Sequence, residues 1–232
     1  RDCLLSRGLG DVYKRQGVLM GYFETPTFNW ISFERLQQLR LFSILALIPM
    51  MVVPIILNDL TYLYRYLTQW SIEIATIATI LIYFSAKDPD NIKLNKIALI
   101  TFEIAIYLTV ATMISFWVSF PNIYFCCIET YWKVALTISH IIPQVIILSN
   151  LFLSNVKINL KDGFYGAMVG IAYLITDYLR HKTQDTFDTY EFLQWGTIEA
   201  IEISVFFIVF GYLFYIVIWK INESFKNEID IR

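Results

Sequence analysis

The sequence predicts an all-α, polytopic transmembrane helix bundle of about six spans, and three observations carry that prediction. Of 232 residues, 57% are hydrophobic and only 16% charged, against roughly 25% charged in soluble domains. The apolar residues gather in continuous runs instead of alternating, which excludes a transmembrane β-barrel. Aromatics reach 17%, and many Tyr and Trp stand at the ends of the runs, where amphipathic rings favour the headgroup layer. The net charge of −2 gives no footprint for nucleic acid, and membrane lipids are the expected surroundings.

The first segment falls outside this scheme. Ser6–Gln16 (SRGLGDVYKRQ) back-translates without a gap to a sequencing adapter joined to a transposon end. Residues 1–16 are therefore expected to be non-native, with the native start at Met20 or missing. Residues 17–40 are expected to form an N-terminal cytoplasmic segment, residues 41–221 the six-helix transmembrane domain and residues 222–232 a cytoplasmic tail.

Six runs qualify as spans by the rule that crossing takes about 20 mainly apolar residues. Leu41–Leu57 carries no charge but holds Pro49 and Pro54, which predict a kink. Tyr66–Ala86 is interrupted by Glu73, and Ile97–Phe120 contains Glu103. Val134–Leu153 carries His140 and Pro143. Phe164–Leu179 is the shortest and begins among Gly163, Gly166, Ala167 and Gly170, a small-residue face suited to close helix approach. Ile198–Trp219 closes the set, with Glu199 and Glu202 near its start. The loop Lys87–Lys96 reads as a plain polar turn.

With six spans, one side of the membrane holds both termini and ten Lys or Arg, and the other holds four: Arg65, Lys133, Arg180 and Lys182. The positive-inside rule then places both termini in the cytoplasm. A eukaryotic endoplasmic reticulum or plasma membrane is the expected location. The cysteines Cys3, Cys126 and Cys127 lack zinc spacing, so neither a metal nor another cofactor is expected, and the adjacent pair reads as two free thiols.

Ionisable and hydroxyl groups within spans are expensive and by default mark functional sites. Thr68 enters roughly 5 Å below the outer end of its helix at 1.5 Å per residue, with Ser71 and Ala75 continuing its face. Lys133, Thr137, His140 and Gln144 fall at −7, −3, 0 and +4 about the histidine, one helical stripe in an apolar span. Asp177 and His181 are four apart at the outer end of the fifth span, a spacing at which a carboxylate can fix an imidazole tautomer. Thr68, His140, Asp177, His181 and Glu199 all fall in the outer half of the bundle, whereas Glu103 lies nearer the cytoplasmic side. Three uses of this polar level stay open. It can be catalytic. It can be a ligand or ion site lined by Glu73, Glu103 and Glu202. It can be interhelical adhesion worth about 0.6 kcal/mol per bond.

Tyr66-Leu67-Thr68-Gln69-Trp70, Ser139-His140-Ile141-Ile142-Pro143 and the region of His181 resemble the androgen-induced-gene family of six-helix membrane proteins, from about Leu41 to Ser224. Members of that family include hydrolases of fatty acid esters of hydroxy fatty acids. Related rolling-stone-like membrane proteins share a similar threonine–tryptophan motif. The resemblance implies a lipid-ester substrate, Thr68 as nucleophile, His140 as its base, and a further histidine at His181, where an adjacent second histidine of the family is replaced by Arg180. A threonine hydroxyl is a weak nucleophile and needs such a base. Asp177, Gln144 and Thr137 are possible accessory groups. By type and face, the candidate oxyanion donors are Gln144, Thr137, Ser71 and Trp70.

Overall fold

The computed structural model describes residues 23–57, 65–119, 129–183, 190 and 193–230. The adapter-like segment, Met20 and the Cys126–Cys127 pair lie outside the described residues. Among these residues are six long helices: α1 (Phe33–Leu57), α2 (Leu67–Lys87), α3 (Ile92–Ser119), α4 (Thr130–Leu153), α5 (Gly163–Thr183) and α6 (Ile198–Asp230). A single 3-10 turn, Leu160–Asp162, leads into α5. Among the described residues there is no β-strand beyond two isolated bridges.

Five of the helices are long and apolar enough to cross a membrane. The exception is α5, which at 21 residues matches α2 in length but ends in Asp177, Arg180, His181 and Lys182. At about 1.5 Å per residue, such a helix still reaches the ~30 Å of a hydrocarbon core.

The apolar runs underestimate five of the six helices. α1 begins at Phe33, eight residues before the run that announces it, α3 begins at Ile92, and α6 continues past Trp219 to Asp230. Hydropathy registers contact with lipid, whereas backbone hydrogen bonding carries a helix on through Arg35, Arg40, Lys220 and Glu223 where these reach water or protein. The segments expected as an N-terminal cytoplasmic stretch and a tail are therefore partly helical.

α3 is the axis of the bundle, packing against α2, α4, α5 and α6. Of its apolar stretch 56% is buried against protein, whereas in α1 and α6 the share is 17%. Those two helices present Phe42, Leu45, Ile56, Val209, Leu213 and Val217 outward, as a lipid-facing surface requires. The protein core runs along α2 and α3 through Ala75, Ala78, Ile82, Phe102, Ala105 and Ile106, all fully buried. Small residues on α2 let α3 approach closely.

α5 docks by the same device. A Cβ added at Gly166 would stand 2.5 Å from Cβ and Cγ of Tyr107 on α3. Tyr107 is itself held by donating its hydroxyl to the Ile208 carbonyl of α6 at 2.9 Å. It therefore cannot retreat without losing a bond in an apolar interior. Gly166→Ala is expected to destabilise the protein by about 1–3 kcal/mol through overpacking, measured as a lowered unfolding midpoint in detergent. An unchanged midpoint would show that α5 is not seated on Tyr107.

The two ends of the bundle are polar for different reasons. At one end, the segment ahead of α1 is bridged to the end of α4. Thr27 N–H donates to the Leu153 carbonyl, and Asn155 N–H to the Thr25 carbonyl, both at 2.8 Å. Lys226 of α6, fully buried, reaches Thr27 Oγ1 and the Ser154 carbonyl. The start of α1 and the end of α6 therefore share one end of the bundle.

Candidate functional site

The opposite end gathers the starts of α2 and α4 with the ends of α3 and α5. Thr68 is the second residue of α2, whose first turn is fixed from two sides. The Leu67 N–H donates to the Tyr190 hydroxyl at 3.1 Å, and the Gln69 and Trp70 N–H groups donate to the Tyr66 carbonyl. The first amides of a helix have no partner within it, so these contacts hold the start of α2 in place. Burial pushes the Tyr190 hydroxyl up to about 12.

His140 lies ten residues into α4 and is buried, with 9% exposure. Its Nε2 is 2.9 Å from Thr68 Oγ1. Nδ1 is 2.7 Å from the Leu136 carbonyl and 3.1 Å from Ser139 Oγ. A carbonyl has no proton to give, so Nδ1 carries the hydrogen and Nε2 is left as an acceptor. The Thr68 hydroxyl must then be the donor across the α2–α4 gap. Phe116 of α3 stacks on the imidazole with ring centroids 3.9 Å apart and planes 21° from parallel, which holds the ring in that orientation.

A cavity of about 70 Å³ opens beside the pair, several times the 10–15 Å³ or so that one water needs. Its walls are mainly apolar, with Leu108 and Phe116 from α3, Leu174 from α5, Leu193 from the following segment, and Phe207 and Ile208 from α6. The polar groups in the lining are few: Thr68, Thr112, Ser115, His140 and three tyrosine hydroxyls. All three tyrosines are already engaged, Tyr107 and Tyr190 as above and Tyr173 donating to the Arg65 carbonyl at 3.0 Å. An apolar chamber with a few convergent polar atoms at one end is the form of a small-molecule site.

The remaining residues singled out by sequence reasoning are placed otherwise. Thr137 donates to the Lys133 carbonyl at 2.8 Å and Ser71 to the Thr68 carbonyl at 2.9 Å. Trp70 packs edge-to-face on Tyr173, and Gln144 is buried one turn below His140. None of these four lines the cavity. Asp177 accepts from Arg180 at 3.1 Å and from the Trp195 indole N–H at 2.7 Å. The end of α5 thus carries a network of Asp177, Arg180 and Trp195. Gly196, at φ 106°, adopts the left-handed turn that brings Trp195 back over α5. His181 is half-buried and off the cavity.

Glu73, Glu103 and Glu202 do not line the cavity either. Glu103 is fully buried and accepts at 2.6 Å from the Asn159 N–H, in the segment between α4 and α5. Among the described residues there is no group of His, Cys, Asp and Glu able to hold a metal ion.

Sequence reasoning missed the contribution of α3. Leu108, Ala111, Thr112, Ser115 and Phe116 recur at the spacing of one helical face, and that face forms one wall of the cavity. The signal was present in Thr112 and Ser115, two hydroxyls within an otherwise apolar stretch. It was muted because a threonine in an apolar helix usually bonds back to its own backbone.

No family model, curated protein or solved structure matches this chain.

Proposed function

We infer that this multi-pass membrane protein hydrolyses lipid esters, with Thr68 as nucleophile and His140 as general base. The single observation that carries the reading is the 2.9 Å contact between Thr68 Oγ1 and a His140 Nε2 whose tautomer is set to accept. The likeness of the segments around Thr68 and His140 to the androgen-induced-gene family supports the same chemistry and the same substrate class, fatty acid esters. The apolar lining of the cavity matches the chemistry of an acyl chain.

In the first half-reaction, Thr68 Oγ1 bonds to the ester carbonyl carbon while its proton passes to His140 Nε2. The carbonyl π electrons move onto oxygen. When they return, the bond to the leaving alkoxide breaks, and the alkoxide takes the proton from Nε2. The products are an alcohol and an acyl-threonine. In the second half, water attacks the acyl carbon, gives its proton to Nε2, and expels Thr68 as that proton returns to Oγ1. A fatty acid leaves.

Both termini are assigned to the cytoplasm from the Lys and Arg balance. Thr68 and His140 then lie toward the other leaflet, in an endoplasmic reticulum or plasma membrane. An ester lodged there keeps its chains in the apolar layer and its carbonyl near interfacial water.

The test is labelling of the membrane-expressed chain with a fluorophosphonate probe, comparing wild type with Thr68→Ala at matched expression. Wild type should label and Thr68→Ala should not. If wild type fails to label, or both label equally, Thr68 is not an activated nucleophile and the assignment falls.

A further inference from the structure

Catalysis at a threonine requires a donor for the oxyanion as well as a base, and none of the donors expected from sequence faces the cavity. Six of the described helical threonines follow a common pattern. Thr76, Thr79, Thr109, Thr137, Thr176 and Thr183 each donate to the carbonyl four residues earlier. Thr112 does not. It is 4% exposed, its hydroxyl is buried without a hydrogen-bond partner, and it lines the cavity together with Thr68 and His140.

A hydroxyl left unpaired in a protein interior costs about 1–3 kcal/mol, and a bond to its own helix would ordinarily remove that cost. Thr109, three residues earlier on α3, makes such a bond at 2.8 Å. Thr112, a residue of the cavity lining, therefore retains an unsatisfied buried donor, one turn from the Phe116 ring that stacks on His140. An oxyanion site needs this arrangement: a fixed donor, in an apolar surrounding, not already committed to another acceptor.

We propose that Thr112 is a further catalytic residue, whose hydroxyl donates to the oxyanion formed when Thr68 attacks the ester carbonyl. The proposal rests on the hydrolase reading. The Thr68 N–H, in the first turn of α2 where amides have no partner within their own helix, is the natural second donor. The step adds no reactant. The π electrons of the carbonyl pass to oxygen, the Thr112 O–H donates a hydrogen bond to it without giving up its proton, and the bond weakens as the carbonyl re-forms.

The experiment uses the full chain in detergent micelles with 4-nitrophenyl octanoate as substrate, and compares wild type, Thr112→Val, Thr112→Ser and Thr68→Ala. Valine keeps the shape of threonine and removes the donor, and serine keeps the donor. Loss of one oxyanion donor typically lowers kcat by roughly 10²–10³-fold, and that fall is expected for Thr112→Val. Its KM should change by no more than about twofold, the pattern of an interaction made only in the transition state. Thr112→Ser should recover most of the rate. The unfolding midpoint of Thr112→Val should not fall, because an unpaired buried hydroxyl contributes nothing to the fold.

Full kcat in Thr112→Val with none in Thr68→Ala would overturn the oxyanion assignment and leave the hydrolase reading standing. A raised KM at constant kcat, or a lowered midpoint that accounts for the lost rate, would likewise reduce Thr112 to a packing residue. If wild type itself neither turns over the ester nor labels with fluorophosphonate, the hydrolase reading fails, and the proposal fails with it.

Discussion

His140→Ala is expected to lower ester turnover by roughly 10²–10⁴-fold, the span that general acid–base catalysis contributes. The argument lies in how the ring is held. The Leu136 carbonyl at 2.7 Å requires a hydrogen on Nδ1, so Nε2 faces Thr68 Oγ1 as an acceptor. Phe116 stacked at 3.9 Å prevents the ring from rotating away. Without the imidazole, the hydroxyl keeps its own high pKa and attack depends on the rare alkoxide. The substitution also leaves a space beneath Phe116 the size of the lost ring, so added imidazole should restore part of the rate in His140→Ala and none in Thr68→Ala. Measuring kcat for both variants with and without imidazole checks this. Unchanged turnover in His140→Ala would remove the histidine from the mechanism, and failure of imidazole to restore rate would make its role positional.

How much of this was legible beforehand depended on what a linear pattern can encode. The offsets Lys133, Thr137, His140 and Gln144 marked a stripe on α4, and separate depth arguments placed Thr68 and His140 at one level. Their meeting across α2 and α4 follows that logic. The stripe was nonetheless too generous. A helix face is wider than a site, and Thr137 turned back to the Lys133 carbonyl while Gln144 fell below the cavity. α3 was under-read for the converse reason. Its residues are apolar nearly all round, because a central helix is buried on every side, and periodicity then carries no sign of which face meets a cavity. The helix ends were misplaced because the apolar runs mark lipid contact, whereas Phe33–Arg40 and Lys220–Asp230 are helical without it.

Arg40 and Lys226 show the deepest gap between pattern and structure. By sequence both are cytoplasmic loop charges that orient the bundle. In the fold both are fully buried and converge on Ser154. Arg40 donates from its Nε to Asn150 Oδ1 at 3.2 Å, and from one terminal nitrogen to Ser154 Oγ and the Phe23 carbonyl, each at 2.8 Å. It thus ties α1 to α4 and to the segment ahead of α1. A hydropathy reading assigns such groups to water. Here the protein supplies the acceptors that water would have offered.

Arg40→Ala is therefore expected to be among the most destabilising single substitutions, by about 2–4 kcal/mol. Two opposing effects set that figure. Removing a buried guanidinium relieves its own desolvation cost. It also leaves the Phe23 carbonyl, Ser154 Oγ and Asn150 Oδ1 without their charged donor, at about 1–3 kcal/mol for each group that stays buried, and opens a cavity that neighbouring side chains fill only in part. The Phe23 carbonyl belongs to a segment that can lift off to find water, so the loss should be local before it is global. Phe23 is 1% exposed and packs edge-to-face on Phe102 at 5.6 Å. Its release should appear as faster amide exchange and new protease cleavage between residues 23 and 32, ahead of any change in α2–α4. Arg40→Lys keeps the charge but reaches fewer acceptors, and should fall between wild type and alanine. If Arg40→Ala leaves exchange in residues 23–32 unaltered, the segment is held by the Thr27–Leu153 and Asn155–Thr25 backbone bonds, and the buried charge is not what anchors it. Because this end lies opposite Thr68 and His140, Arg40→Ala should leave KM nearly unchanged while the bundle remains folded. Stability and turnover would then vary independently, each governed by its own end of the molecule.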